Sequence, residues 1–125
     1  MSIRPLALQW FKSKYGEVKN VFTSKFFTPD KSWNKKNVWF FQLPPSSIDL
    51  PGKKHVCLLC EKKPGKNDFH YLRVPISFIL HNIEKFDTIG EKLALYLSAE
   101  PQSLFVEERG KGKLDFSSYL INGAV

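Results

Sequence analysis

Cys57 and Cys60 form a C-x-x-C, with His55 two residues before it and His70 ten residues after it. A structural zinc site needs four converging nitrogen or sulfur ligands, and these four side chains supply the right atoms. Their setting predicts something else. Residues 55–60 are a compact apolar run of strand type, and residues three apart on a strand point to opposite faces. Leu58 and Leu59 occupy positions where a zinc knuckle carries small or turn-forming residues. Two reduced core cysteines are expected, with no metal and no other cofactor. Asp87 with Glu91 and Lys92, and Glu107 and Glu108 with Lys111, loosely echo the acid-acid-lysine pattern of a Mg²⁺-dependent nuclease. Such fragments arise by chance in basic chains. No P-loop, nucleophile elbow or H-E-x-x-H is present, and His81 is expected on a helix surface. The chain does not read as an enzyme by itself.

What remains is charge, and it is unevenly spread. The chain has 125 residues, 19 Lys plus Arg against 12 Asp plus Glu, and a net charge of +7. Residues 1–66 carry 13 basic groups against Glu17, Asp30, Asp49 and Glu61, a net of +9, whereas residues 67–125 carry a net of −2. That asymmetry predicts one face for a polyanion and one ordinary face. Over residues 19–36 the basic groups Lys19, Lys25, Lys31, Lys35 and Lys36 alternate with Asn20, Ser24, Trp33 and Asn34. Lys holds phosphate as a point charge, Ser donates a hydrogen bond to it, Asn reads adenine edges, and an exposed Trp stacks on a base. Lys53 and Lys54 make a second cluster, and Lys62, Lys63 and Lys66 with Asn67 a third. The fourth is Arg109-Gly110-Lys111-Gly112-Lys113, where the glycines would admit a phosphate close to the backbone.

These groups need elements to position them. Pro5 followed by Leu6, Leu8, Trp10 and Phe11 predicts a short helix stopped by Gly16. Val18, Asn20, Phe22, Ser24 and Phe26 share one strand parity, and residues 38–43 are strongly strand-prone. One helical turn is expected from Ser46, then strands over 55–60 and 69–74 joined by a basic hairpin tip. Ile76, Ile79, Leu80, Ile83 and Phe86 predict an amphipathic helix opened by Pro75. Thr88 to Glu91 match a capping box, but the alternation of Leu93, Leu95 and Leu97 and the presence of Gly90 favour a strand. Short extended pieces are expected at 104–106 and 113–116, then a short terminal helix or strand at 117–121. The pattern is mainly β with short helices, an α+β chain folding as a small mixed barrel. One domain fits the length: residues 1–16 as helix and lead-in, 17–121 as barrel, 122–125 as the start of a linker. No apolar run matches a membrane span or a secretory signal, so a cytoplasmic location is expected.

Four segments in order carry a resemblance: Val38-Trp39-Phe40-Phe41-Gln42-Leu43-Pro44, Val56-Cys57-Leu58-Leu59-Cys60-Glu61, Phe69-His70-Tyr71-Leu72-Arg73-Val74-Pro75, and residues 109–116. Over roughly residues 17–121 the chain resembles the B3-like DNA-recognition domains of bacterial restriction endonucleases, in the manner of LlaJI-like, McrBC-related systems. The resemblance implies a seven-stranded open pseudobarrel whose two arms grip the major groove of double-stranded DNA. The early arm would fall within residues 19–36. The second would be the hairpin tip at 62–68 or the 109–113 segment. The resemblance also implies that cleavage or NTP-driven motion belongs to a catalytic or motor domain elsewhere. The family's arms usually carry base-reading arginines, but Arg4, Arg73 and Arg109 are the only arginines here and the first two arms lack them. Base readout would then fall to Asn20, Asn34, Asn67, lysines and backbone groups. The other functions compatible with the charge are a PUA- or EVE-like barrel binding RNA or a flipped modified base, and a domain docking an acidic protein. For the flipped base, Trp33, Trp39, Phe40 and Tyr71 would supply an aromatic cage.

Overall fold

A computed structural model describes residues 3–16, 19–32, 34–49, 54–63 and 68–121. Their elements are α1 (Arg4–Tyr15), β1 (Val21–Ser24), β2 (Val38–Leu43), α2 (Ser46–Asp49), β3 (His55–Glu61), β4 (Phe69–Pro75), α3 (Ile76–His81), β5 (Asp87–Ile89) and β6 (Lys92–Ser98). The strands form two three-stranded sheets. In the first, β3 is central, parallel to β1 and antiparallel to β4; in the second, β6 is central, antiparallel to β2 and β5. The expectation of a mainly β chain with short helices holds. The described residues give six strands in two sheets and no closed barrel, where seven strands were expected. The pieces at 104–107, 114–116 and 120 contribute single pairings, Leu97 to Glu107, Val106 to Asp115 and Leu72 to Leu120, rather than strands.

Strand alternation sets the layers. Val56, Leu58 and Cys60 of β3 and Leu72 and Val74 of β4 face Trp39, Phe41, Leu43, Leu93, Leu95 and Leu97 of the second sheet, making the main core. The opposite face of the first sheet presents Cys57, Leu59, Phe69 and Tyr71 to Ala7, Trp10 and Phe11 of α1. Cys57 and Cys60 therefore lie in different layers, both as free thiols, and cannot converge on one metal. Among the described residues no His, Cys, Asp or Glu group has metal-holding geometry.

Two elements differ in detail from expectation, and a third, the strand through Leu93, Leu95 and Leu97, is present as expected. The buried stripe of α1 is Ala7, Trp10 and Phe11, spaced i, i+3, i+4, while Leu6 is 52% exposed. α3 stops at His81, where the Asn82 N–H is shared between the Phe78 and Ile79 carbonyls (both 3.2 Å) and the Asn82 side-chain amide also donates to the Phe78 carbonyl (2.9 Å); Leu80 and Ile83 stay exposed. The capping box at Thr88 is overridden by a hairpin, with Gly90 at φ +62° in the turn between β5 and β6.

His70 sits on the core face of β4, edge-on to Trp39 (5.6 Å) and Phe105 (5.2 Å), and its Nδ1 is buried without a hydrogen bond among the described residues. Burial first, then Lys62, pushes its pKa down to about 4 from the usual 6.5. The unfolded chain therefore binds the extra proton in that window, and stability falls as the pH drops from about 6.5 to about 4. Allowing for the ring's partial exposure, the loss is expected to reach about 2 kcal/mol. Urea melts of wild type and His70→Gln across this range measure it. If the difference between the two proteins does not change with pH, another group is responsible.

Candidate nucleic-acid interface

The parallel pairing of β1 with β3 decides where the basic residues meet. Val21 pairs with Cys57 and Ser24 with Cys60, so the chain leaves both strands at the same end of the first sheet. Lys25 follows β1 there, and Lys62 and Lys63 follow β3. A hydrogen-bonded link fixes the junction: the Phe26 N–H donates to the Glu61 carboxylate (2.9 Å), and the Trp39 indole N–H donates to the Glu61 carbonyl (2.8 Å).

From this junction the β1–β2 connection makes a braced excursion. Phe27 and Val38 close its base through paired backbone hydrogen bonds of 2.9 and 3.1 Å. The Thr28 carbonyl accepts the N–H groups of Lys31 and Ser32, at 2.9 and 3.0 Å. The Lys36 N–H reaches the buried Ser32 hydroxyl (2.9 Å) and the Asn34 side-chain carbonyl (3.2 Å). Asn37 ties the far side down by donating its backbone and side-chain N–H groups to the Glu100 carboxylate, at 2.8 and 2.7 Å. Lys35 occupies the left-handed region at φ +61°. The result is an ordered projection with Lys25, Lys31, Lys35 and Lys36 exposed along it.

On its other flank the projection meets the outer face of the second sheet. Phe40 and Tyr96, paired across β2 and β6, stack at 4.5 Å, and the Arg109 guanidinium lies over Tyr96 at 5.2 Å. A cleft of about 260 Å³ lies between Lys31 and Ser32 on one side and Phe40 and Tyr96 on the other.

The structure divides the sequence-predicted residues into groups. Lys25, Lys31, Asn34, Lys35, Lys36, Lys62 and Lys63 gather at the junction and projection; Lys62 also pairs with Asp68 at 3.4 Å. Lys19 and Asn20 precede β1 and lie at its opposite end, roughly 13 Å away for a strand of four residues. The Asn20 amide is engaged there, donating to the carbonyls of Ser47 (2.9 Å) and His55 (3.0 Å), so it ties β1 to α2 and β3 rather than facing a base. Ser24 is buried; its hydroxyl donates to the Lys25 carbonyl and accepts the Phe40 N–H, both at 2.8 Å, which withdraws it from any phosphate. Trp33, Lys66 and Asn67 lie outside the described residues. The proposed aromatic cage does not assemble: Trp39 is in the main core, Tyr71 under α1, and Phe40 on the outer face.

The 109–113 segment holds an anion, but its own. The Glu107 carboxylate accepts the N–H groups of Arg109 (3.1 Å) and Gly110 (2.6 Å), so the backbone expected to cradle a phosphate is occupied. The room opened by the glycines is filled by Lys85: a Cβ on Gly110 would lie 2.1 Å from the Lys85 carbonyl oxygen, and one on Gly112 would lie 2.8 Å from its side chain. Arg109 pairs with Asp87 and donates to the Tyr96 hydroxyl (3.3 Å). The Thr88 N–H first, and Arg109 second, hold the Asp87 carboxyl below its usual pKa. Lys113 donates to the Glu108 carbonyl at 2.6 Å. Lys111 is exposed beside them.

Sequence reasoning missed Glu61 and Trp39 as the residues that position the junction, and Arg73 as a surface cation. The parity of Phe69, Tyr71 and Arg73 carried that last signal, because it puts Arg73 at the open end of an otherwise covered row. Comparison with protein-family models, curated proteins and solved structures finds no match. No helix among the described residues is long and apolar enough to cross a membrane.

Proposed function

We propose that this chain is a double-stranded DNA-binding module, the sequence-recognition part of a restriction endonuclease whose cleaving or NTP-driven domain lies elsewhere. The observation that carries this reading is the parallel β1–β3 pairing, which brings basic residues some 37 positions apart to one end of a sheet. The braced projection supports it as the early arm and the β3–β4 hairpin as the second. The open B3-like pseudobarrel belongs to the same proposal, with the single pairings at Phe27, Glu107, Asp115 and Leu120 as the points that would extend the two sheets toward one another. The 109–113 segment acts as a brace: Arg109 pairs with Asp87 and Lys113 with Glu108, while the exposed Lys111 belongs to no ion pair among the described residues.

Affinity comes from phosphate contacts by Lys25, Lys31, Lys35, Lys36, Lys63 and Lys111. Neutralising about six phosphates gives a slope of log K against log salt of roughly −5. Fluorescence anisotropy with a duplex pool across a salt series measures it. Replacing Lys25 and Lys63 by Ala and Lys35 by Gly, which suits the left-handed backbone, should bring the slope to roughly −2.5. A slope near zero in the wild type sinks the proposal. Asn34→Ala is expected to reduce discrimination between sequences more than affinity.

The half-buried Phe40–Tyr96 stack beside Lys31 favours one further reading, in which an unpaired or modified base stacks in the adjoining cleft. A marked preference for duplexes carrying a modified base over plain duplexes of the same sequence would support it.

A further inference from the structure

At the other end of the first sheet lies a second basic feature that the duplex reading does not use. α1 ends at Tyr15, with Gly16 at φ +87°, and beyond the helix end His55 at the start of β3 is half-buried and Arg73 near the end of β4 is exposed. The groove there has a volume of about 390 Å³, within the roughly 300–1,000 Å³ of small-molecule sites. Its floor is aromatic. Tyr71 packs edge-on against Phe11 (5.1 Å) and Tyr15 (4.8 Å), and Tyr15, at the groove's edge, is 39% exposed. The Tyr71 hydroxyl is held by the Cys57 thiol at 3.4 Å.

The rim is cationic. Arg73, Lys54, Lys19 and His55 come from β4, β3 and the approach to β1, and no carboxylate lines the groove among the described residues. Arg73 stands directly across from Cys57 in the β3–β4 register, two pairs away from His55 on the same face, and His55 follows Lys54. Neither Arg73 nor Lys54 belongs to an ion pair among the described residues. Partial burial first, then Arg73 and Lys54, pushes the His55 pKa down, as expected where positive charges converge.

We infer that this groove binds a phosphate monoester joined to a flat aromatic ring, a ligand of mononucleotide size, either free or as the 5′-terminal nucleotide of a strand. The ring lies against Tyr15 and Tyr71, and the dianionic phosphate sits between Arg73 and Lys54, where a guanidinium fork and an ammonium converge. The inference stands apart from the duplex proposal, since β3 places about 20 Å between the groove and the arm junction.

The test is a titration of the ¹⁵N-labelled protein with 5′-AMP, adenosine, inorganic phosphate, and a short single-stranded oligonucleotide with and without a 5′-phosphate. 5′-AMP is expected to shift the amides of residues 54–57 and 71–73 and to bind at least tenfold tighter than adenosine or phosphate. Arg73→Gln, a change at an exposed site, should weaken it at least tenfold, with the remaining amide spectrum intact as a check on folding. Replacing Lys35 by Gly should leave it unchanged. If the 5′-phosphorylated oligonucleotide outcompetes 5′-AMP and its 5′-hydroxyl form does not, the natural ligand is a strand end; equal binding identifies the free nucleotide. No shift at these amides with either phosphorylated ligand at millimolar concentration overturns the inference. Binding that Arg73→Gln leaves unaltered also overturns it.

Discussion

Trp39→Ala is expected to lower the unfolding free energy by about 4–6 kcal/mol, enough to unfold many domains of this size at 37 °C. Trp39 is 1% exposed, stacks on Phe105 at 5.4 Å, and meets Phe26 and His70 edge-on. Removing the indole opens a large cavity between the sheets, and it also leaves the Glu61 carbonyl without the N–H that reaches it at 2.8 Å. Urea unfolding at low temperature measures the loss. Trp39→Phe separates its two parts, because the benzyl ring fills much of the space and the donor alone is missing; about 2 kcal/mol is expected. A loss below about 2 kcal/mol for Trp39→Ala would contradict the packing described. The functional consequence is local. Glu61 also accepts the Phe26 N–H, so in Trp39→Phe amide exchange should quicken first at Phe26 and Lys62, where the chain leaves β1 and β3.

Glu107→Ala is expected to cost about 3–5 kcal/mol. The side chain is 1% exposed, and its carboxylate accepts three backbone N–H groups, from Tyr96 (2.9 Å), Arg109 (3.1 Å) and Gly110 (2.6 Å). Truncation strands all three donors, and each buried donor without a partner carries a penalty of roughly 1–3 kcal/mol. Glu107→Gln retains one accepting oxygen but turns an NH₂ toward N–H groups, and about 2–3 kcal/mol is expected for it. Limited proteolysis gives an independent readout: cleavage within residues 108–113 should accelerate in both variants. If Glu107→Ala melts within about 1 kcal/mol of wild type, the carboxylate does not hold this segment, and the 109–113 backbone becomes available for an external phosphate after all.

These two residues mark how far local pattern extends. Residues 38–43 are strongly strand-prone and fold as β2, and residues 55–60 read as a buried strand and are one, because one sheet face or both exclude water along them. The divergence of Cys57 and Cys60 followed from strand geometry alone. By contrast, Glu107 in its acidic pair looks like a surface residue, and Arg109-Gly110-Lys111-Gly112-Lys113 looks like a phosphate loop. Neither residue type nor spacing records that the first fills the second. Ser24 shows the same limit, since its strand parity is visible but the neighbour that covers it, Phe40 of β2, is not.

The sequence by itself determined the charge asymmetry, the mainly β class with short helices, and the strands that build both core layers. Those properties are set by period-two burial and by composition, which act within a few residues. Only the tertiary structure decided which basic residues share a surface. The parallel β1–β3 pairing sends Lys19 and Lys25, six positions apart, to opposite ends of a sheet, while it brings Lys25 beside Lys62 and Lys63. Pairing partner and direction are fixed by the packing of whole sheets, through contacts between residues far apart in the chain, and no local pattern carries them.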